Sequence, residues 1–153
     1  MSRDMVKTSI LVVEDEENLR HMLRVMLEKQ GYGVEEAVNG SEGLQKAVQG
    51  NFDFILSDIR MPVMDGPEFL RHLSAARVAA TIIMMSAYGT VDTAIDAMKL
   101  GAYDYISKPF KPDEIVLTLK KAEERERLRR ENDRLRREVK REYSFENIIS
   151  KND

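Results

Sequence analysis

Over roughly the first 110 residues, apolar positions fall in short runs separated by longer stretches with helical spacing. Residues 9–13 form an apolar run that stops at acids, as a strand buried on both faces would. Leu19, Met22, Leu23, Met26 and Leu27 then recur at helical spacing, and Gly31 ends that helix. The same alternation continues along the chain. Strands are predicted at 34–38, 52–56, 81–85 and 103–106, and helices at 41–48, 66–73 and 91–100, with a fifth helix starting after Pro112. Strands alternating with helices predict an α/β fold of the (βα)5 type: a parallel sheet, right-handed crossovers and helices on both faces.

In such sheets ligands bind at the carboxyl ends of the strands, beside the switch in strand order. Those ends carry Glu14 and Asp15, then Asp58, Ser86 and Lys108. Carboxylates converging there repel one another and call for a cation. Both histidines, His21 and His72, fall within helix patterns, and there is no cysteine. All-oxygen ligands in an open site suit Mg²⁺ that keeps some of its waters. A lysine and a divalent cation flanking one carboxylate make a place for a transferable phosphoryl group, with an aspartate as the oxygen nucleophile. Ser86 could donate its hydroxyl to a phosphoryl oxygen, although a serine there can equally cap a helix. Met61, Pro62, Asp65 and Gly66 read as a structural turn, with Asp65 capping the third helix.

The stretches LVVEDEENLR, ILSDIRMPVMDG and MSAYGTVDTAIDAMKLGAYDYISKPF, in this order, resemble the receiver domains of two-component response regulators. The resemblance covers about residues 7–122. It implies a flavodoxin-like, CheY-like sheet of strand order 2-1-3-4-5. It implies Asp58 as phosphoacceptor, and Asp15, supported by Glu14, as Mg²⁺ ligand together with Asp58 and the backbone carbonyl of Arg60. Ser86 and Tyr105 correspond to the switch residues, and Lys108 to the phosphate-binding lysine. The Lys108–Pro109 bond is expected to be cis. Arg60 and Tyr88 are expected to shield the phosphoryl group from water. The domain would not be an enzyme beyond its own phosphorylation and slow dephosphorylation, and its donor would be a sensor histidine kinase.

From 113 to about 142 there is no glycine or proline, and strong helix formers dominate. Ile115, Val116, Leu119 and Ala122 can pack on the sheet. Leu128, Asn132, Leu135 and Val139 then occupy d, a, d and a of a heptad. In a parallel pair, Glu124 would face Arg129 and Glu131 would face Arg136 of the second copy, and Asn132 would pin the register. A solvated single helix and a nucleic-acid surface are the alternatives; interleaved glutamates argue against the second. The ending YSFENIISKND resembles the start of the ATPase domain of NtrC-like, sigma-54-dependent activators. The expected organisation is therefore a receiver domain over 1–122, a coiled-coil linker over 123–143 and the beginning of an ATPase domain over 144–153. Partners would be the kinase, the downstream ATPase domain and a second copy. That copy would dock through the linker, with the face of the fourth helix, fifth strand and fifth helix as a further surface. The coiled-coil linker resembles the repressed type, in which phosphorylation releases the arrangement.

Composition narrows the picture. The chain has 153 residues, 42% of them hydrophobic, and a formal net charge of −3. That charge is too mild for an overall nucleic-acid or membrane surface, and no apolar run approaches the roughly 20 residues of a membrane span. The amino-terminal stretch lacks the apolar segment of a signal peptide, so a cytoplasmic location is expected. Competing phosphate chemistries fit poorly. A haloacid-dehalogenase phosphatase wants an acid two residues after the nucleophile, where Arg60 stands. A flavin phosphate loop wants hydroxyls and glycine where Glu14–Glu17 stand, and no G-x-G-x-x-G or G-x-x-x-x-G-K-[ST] occurs.

Overall fold

The computed structural model describes the backbone of residues 7–87 and 91–151, with side chains over 7–87 and 92–144. Spatial proximity divides the chain into two compact units, Met1–Thr118 and Leu119–Asp153.

In the first unit five strands alternate with helices: β1 (Ser9–Val13), α1 (Glu17–Lys29), β2 (Gly33–Ala37), α2 (Gly40–Gln49), β3 (Phe54–Asp58), α3 (Gly66–Ala75), β4 (Thr81–Ser86), α4 (Val91–Lys99) and β5 (Asp104–Ser107), followed by the start of α5 (Pro112–Lys151). All pairings are parallel, and the sheet order is β2-β1-β3-β4-β5. The predicted strand order and fold class are those observed. Ile10, Leu11, Val12 and Val13 are all buried, as are Phe54, Ile55 and Leu56. Their unbroken apolar runs fit strands covered on both faces. Leu23 and Leu27 of α1 and Phe69, Leu70 and Leu73 of α3 bury the helix faces the periodicity predicted. Asn39 and Asp65 cap α2 and α3, each side chain accepting a backbone N–H three residues on. Gly31 and Gly101 take left-handed backbone where α1 and α4 end.

One boundary differs usefully from expectation. β3 runs over 54–58 rather than 52–56, so Asp58 is itself the last strand residue. Asp53 sits at the entry to the strand, where its carboxylate accepts the Ser9 N–H at 2.9 Å. Pairing with β4 begins at Phe54–Thr81.

The loop after Asp58 is shaped by close backbone approach. The Gly66 N–H donates to the Ile59 carbonyl at 2.6 Å. A Cβ on Gly66 would lie 2.8 Å from the Ile59 Cα and 2.7 Å from the Met84 Cε. A Cβ on Gly40 would lie 2.7 Å from the Met64 carbonyl oxygen. Val63 in this loop has φ 76°, a left-handed conformation that strains a β-branched residue. Gly66→Ala is expected to destabilise the domain by about 2 kcal/mol, the cost of overpacking against backbone that cannot move aside. Urea denaturation checks this, and an unchanged midpoint would mean the loop yields freely.

The second unit is helical from Leu119 to Lys151. Leu119 and Ala122 are buried, whereas Leu128, Leu135 and Val139 are 51%, 46% and 65% exposed. Ion pairs link Glu124 with Arg127, and Arg134 with both Glu131 and Glu138, along the same helix. The helix thus presents an apolar edge flanked by charges already paired three or four residues apart. Among the described residues no helix is long and apolar enough to cross a membrane.

Candidate functional site

The carboxyl ends of β1, β3, β4 and β5 bring the predicted residues together. Glu14 and Asp15 directly follow β1, and the Glu14 N–H extends the β1–β2 ladder by donating to the Ala37 carbonyl at 3.0 Å. Asp58 ends β3, anchored by the Ile59 N–H on the Met85 carbonyl at 2.9 Å. Ser86 ends β4, and its carbonyl accepts the Lys108 N–H at 2.8 Å. This bond places Lys108 immediately after β5, and the Lys108–Pro109 bond is cis, as expected.

Carboxylate oxygens of Glu14, Asp15 and Asp58 all lie within 4.8 Å of one another. Glu14 and Asp58 are buried, and Asp15 is exposed. The Lys108 ammonium reaches into this cluster, 2.9 Å from Glu14 Oε1 and 3.2 Å from Asp58 Oδ2. Three carboxylates against one ammonium leave a formal deficit of two positive charges, so the donor set fits a hard divalent cation. The exposed Asp15 would leave such an ion open to water on one side. The oxygen-only chemistry fits Mg²⁺ better than a nitrogen- or sulfur-seeking metal.

Burial pushes the Glu14 carboxyl above its ordinary 4.5. The hydrogen bonds from Lys108 and from the Glu16 N–H work against that, and the charge of Asp58 adds to it. Burial pulls the Lys108 ammonium down, but hydrogen bonds and charges from Glu14 and Asp58 outweigh it and hold the pKa above 10.5. Lys108 is therefore cationic at neutral pH, a fixed positive charge beside the Asp58 oxygen.

Ser86 is buried at the end of β4, next to Ser107 in register. Tyr105 lies in register with Met84, and its hydroxyl is buried with no hydrogen-bond partner among the described residues. Arg60 follows β3 in the loop. Tyr88, expected to shield the phosphoryl group together with Arg60, lies outside the described residues. Leu128, Asn132, Leu135 and Val139, the residues expected to form a dimer seam, lie along α5 in the second unit.

Sequence reasoning passed over Arg20 and Glu36. Arg20 donates from Nη1 to the Glu14 carbonyl at 2.9 Å and from Nε to Glu36 Oε1 at 3.0 Å. Arg24 Nη1 reaches the other Glu36 oxygen at 2.7 Å. A signal was present: Glu36 is an acid in phase with Val34 and Val38 on a predicted strand, which asks for a buried cationic partner.

Comparison with known proteins identifies the family. A family model described as the response regulator receiver domain matches residues 10–120. The transcriptional regulatory protein ResD of Bacillus subtilis is 42% identical over 114 residues, which are 74% of this chain and 47% of ResD. The regulatory protein AtoC of Escherichia coli is 34% identical over 141 residues, 92% of this chain and 31% of AtoC. The chain thus spans less than half the length of these relatives. Among solved structures, the beryllofluoride-activated NtrC4 receiver domain dimer superposes with a TM-score of 0.71 at 35% identity, over 75% of this chain and 95% of that one. The chain belongs to the response regulator receiver family, and is the receiver domain of a two-component response regulator.

Proposed function

We propose that Asp58 accepts a phosphoryl group from a sensor histidine kinase, with Mg²⁺ bound by Glu14, Asp15, Asp58 and the Arg60 backbone carbonyl. The observation that carries this reading is the meeting of Glu14, Asp15 and Asp58 with Lys108 at the ends of separate strands. Bound Mg²⁺ would supply positive charge to the phosphoryl oxygens on the side opposite Lys108. An Asp58 carboxylate oxygen forms the new bond to phosphorus as the bond to the donor breaks. Lys108 then exchanges its carboxylate contacts for a phosphoryl oxygen, and Ser86 donates its hydroxyl to another.

The added charge of about −1.5 to −2 draws Ser86 inward, and Tyr105 follows into the space it leaves. The unpartnered Tyr105 hydroxyl supports this reading of a two-state element. Burying it unsatisfied costs about 1–3 kcal/mol, which leaves the present position of the side chain only weakly favoured and free to change. Tyr105→Phe is expected to raise stability by about 1 kcal/mol, because the orphan donor disappears while the ring stays. Denaturant midpoints read this directly, and a lower midpoint would reveal a partner for the hydroxyl.

The output is a change in how two copies associate through Leu128, Asn132, Leu135 and Val139, over a linker at 123–143. The face of α4, β5 and α5 is a further contact surface, and the dimer of the activated NtrC4 receiver supports association of this kind. In the full-length protein this association controls a sigma-54 activator ATPase beginning near 144–153, and through it transcription. The setting is cytoplasmic.

Beryllofluoride with Mg²⁺ tests the reading. One equivalent per chain should bind, with the largest amide shifts at Asp58, Ser86 and Lys108, and the sedimentation coefficient should change. No binding at millimolar Mg²⁺ would refute the acceptor site.

A further inference from the structure

Asp15 is exposed, and its carboxylate has no hydrogen bond among the described residues. Its direction therefore depends on the peptide that joins it to Glu14. That peptide is held from outside the site. The carbonyl of that peptide, Glu14 C=O, accepts from Arg20 Nη1 at 2.9 Å, and one peptide earlier the Glu14 N–H is fixed on the Ala37 carbonyl at 3.0 Å. Arg20 is itself braced, its Nε lying 3.0 Å from Glu36 Oε1 and its side chain only 14% exposed. Glu36 is clamped in turn by Arg24 on its second oxygen, while its backbone carbonyl accepts from the Lys46 ammonium. Arg24 draws the Glu36 carboxyl below its ordinary pKa, which keeps the brace charged at neutral pH. The chain of contacts thus runs from α2 and β2 through Glu36 and Arg20 to the turn that carries two of the three acids.

We infer that Arg20, braced by Glu36, is a positioning residue for the acidic site. It fixes the Glu14–Asp15 peptide so that both carboxylates face Asp58. The inference rests on the reading that these three acids hold a divalent cation. It differs from a plain helix-to-strand tie in what its loss disturbs. Arg20→Lys keeps the charge and one contact and so costs little stability, whereas groups that orient metal ligands change affinity by about 10–100-fold. The guanidinium spans the Glu14 carbonyl and the Glu36 carboxylate through two separate nitrogens, Nη1 and Nε, so a lysine here, with one nitrogen, keeps the charge but loses one contact.

The experiment is calorimetric titration of the full chain with Mg²⁺, alongside thermal melts, for wild type, Arg20→Lys, Glu36→Gln and the double variant. Arg20→Lys should weaken Mg²⁺ binding about 10-fold with Tm lowered by no more than about 3 °C. Glu36→Gln should weaken it less, and the double variant should be no worse than Arg20→Lys alone, since both act through one brace. Unchanged Mg²⁺ affinity in Arg20→Lys, with wild type binding normally, would overturn the positioning role and leave the metal site standing. Affinity losses that add independently in the double variant would also overturn it. Wild type that binds no Mg²⁺ at millimolar concentration would remove the metal reading and this inference with it.

Discussion

Asp58→Asn is expected to take no label from acetyl phosphate with Mg²⁺, under conditions where wild type is labelled, and yet to melt at a higher temperature. The loss follows from chemistry. An amide oxygen is neutral and its lone pairs are delocalised, so it does not attack phosphorus as a carboxylate does. The shape of the side chain is kept, and Lys108 retains Glu14 at 2.9 Å, so the site does not collapse. The gain in stability follows from charge. Glu14, Asp15 and Asp58 crowd their oxygens within 4.8 Å around one ammonium. Removing one negative charge relieves repulsion worth about 1 kcal/mol, or about 3 °C in Tm without Mg²⁺. Adding Mg²⁺ should stabilise wild type and have less effect on the variant. Labelling at the wild-type rate would place the acceptor elsewhere. A fall in Tm of several degrees would mean that Asp58 serves chiefly as the ionic partner of Lys108, a structural role rather than a reactive one.

Much of this site was readable before any coordinates, and the reason is physical. Strands buried on both faces leave continuous apolar runs, and the polar residues that interrupt them mark the strand ends. Glu14, Asp58, Ser86 and Lys108 each stand at such an interruption, and parallel topology forces those ends to one edge. The roles came from resemblance, because spacing alone leaves Ser86 as a cap and Tyr105 as a half-buried strand aromatic. Features that depend on closeness in space were not legible. Nothing in MPVMDG says that Val63 adopts φ 76°, or that a Cβ on Gly66 would meet the Ile59 backbone. Arg20 falls between the apolar positions of α1, and nothing in the periodicity marks it out. Its function emerges only when β2 brings Glu36 beside it and the turn after β1 offers it a carbonyl.

Leu135→Asp is expected to leave the receiver folded and to abolish self-association of the chain. In the single helix Leu135 is 46% exposed, and Leu128 and Val139 are more so. With Asn132 they lie along one edge, which only a second surface can cover. Covering Leu135 in both copies is worth about 3 kcal/mol. Two aspartates at facing d positions would add repulsion and burial of charge. The dimer should therefore weaken by at least about 100-fold, and sedimentation at tens of micromolar should show monomer where wild type shows dimer. The flanking charges act less strongly than the heptad suggests. Glu124 already holds Arg127 at 2.6 Å, and Glu131 holds Arg134 at 3.0 Å, both within their own helix. An interhelical contact from Glu124 to Arg129, or from Glu131 to Arg136, must compete with these local pairs. Apolar contact should thus set the affinity, and raising salt should weaken the dimer only mildly, whereas Leu135→Asp removes it. A variant that remains dimeric would move the interface away from this edge, to the face of α4, β5 and α5. In that case only the response to beryllofluoride, and not the resting dimer, should depend on Asp58.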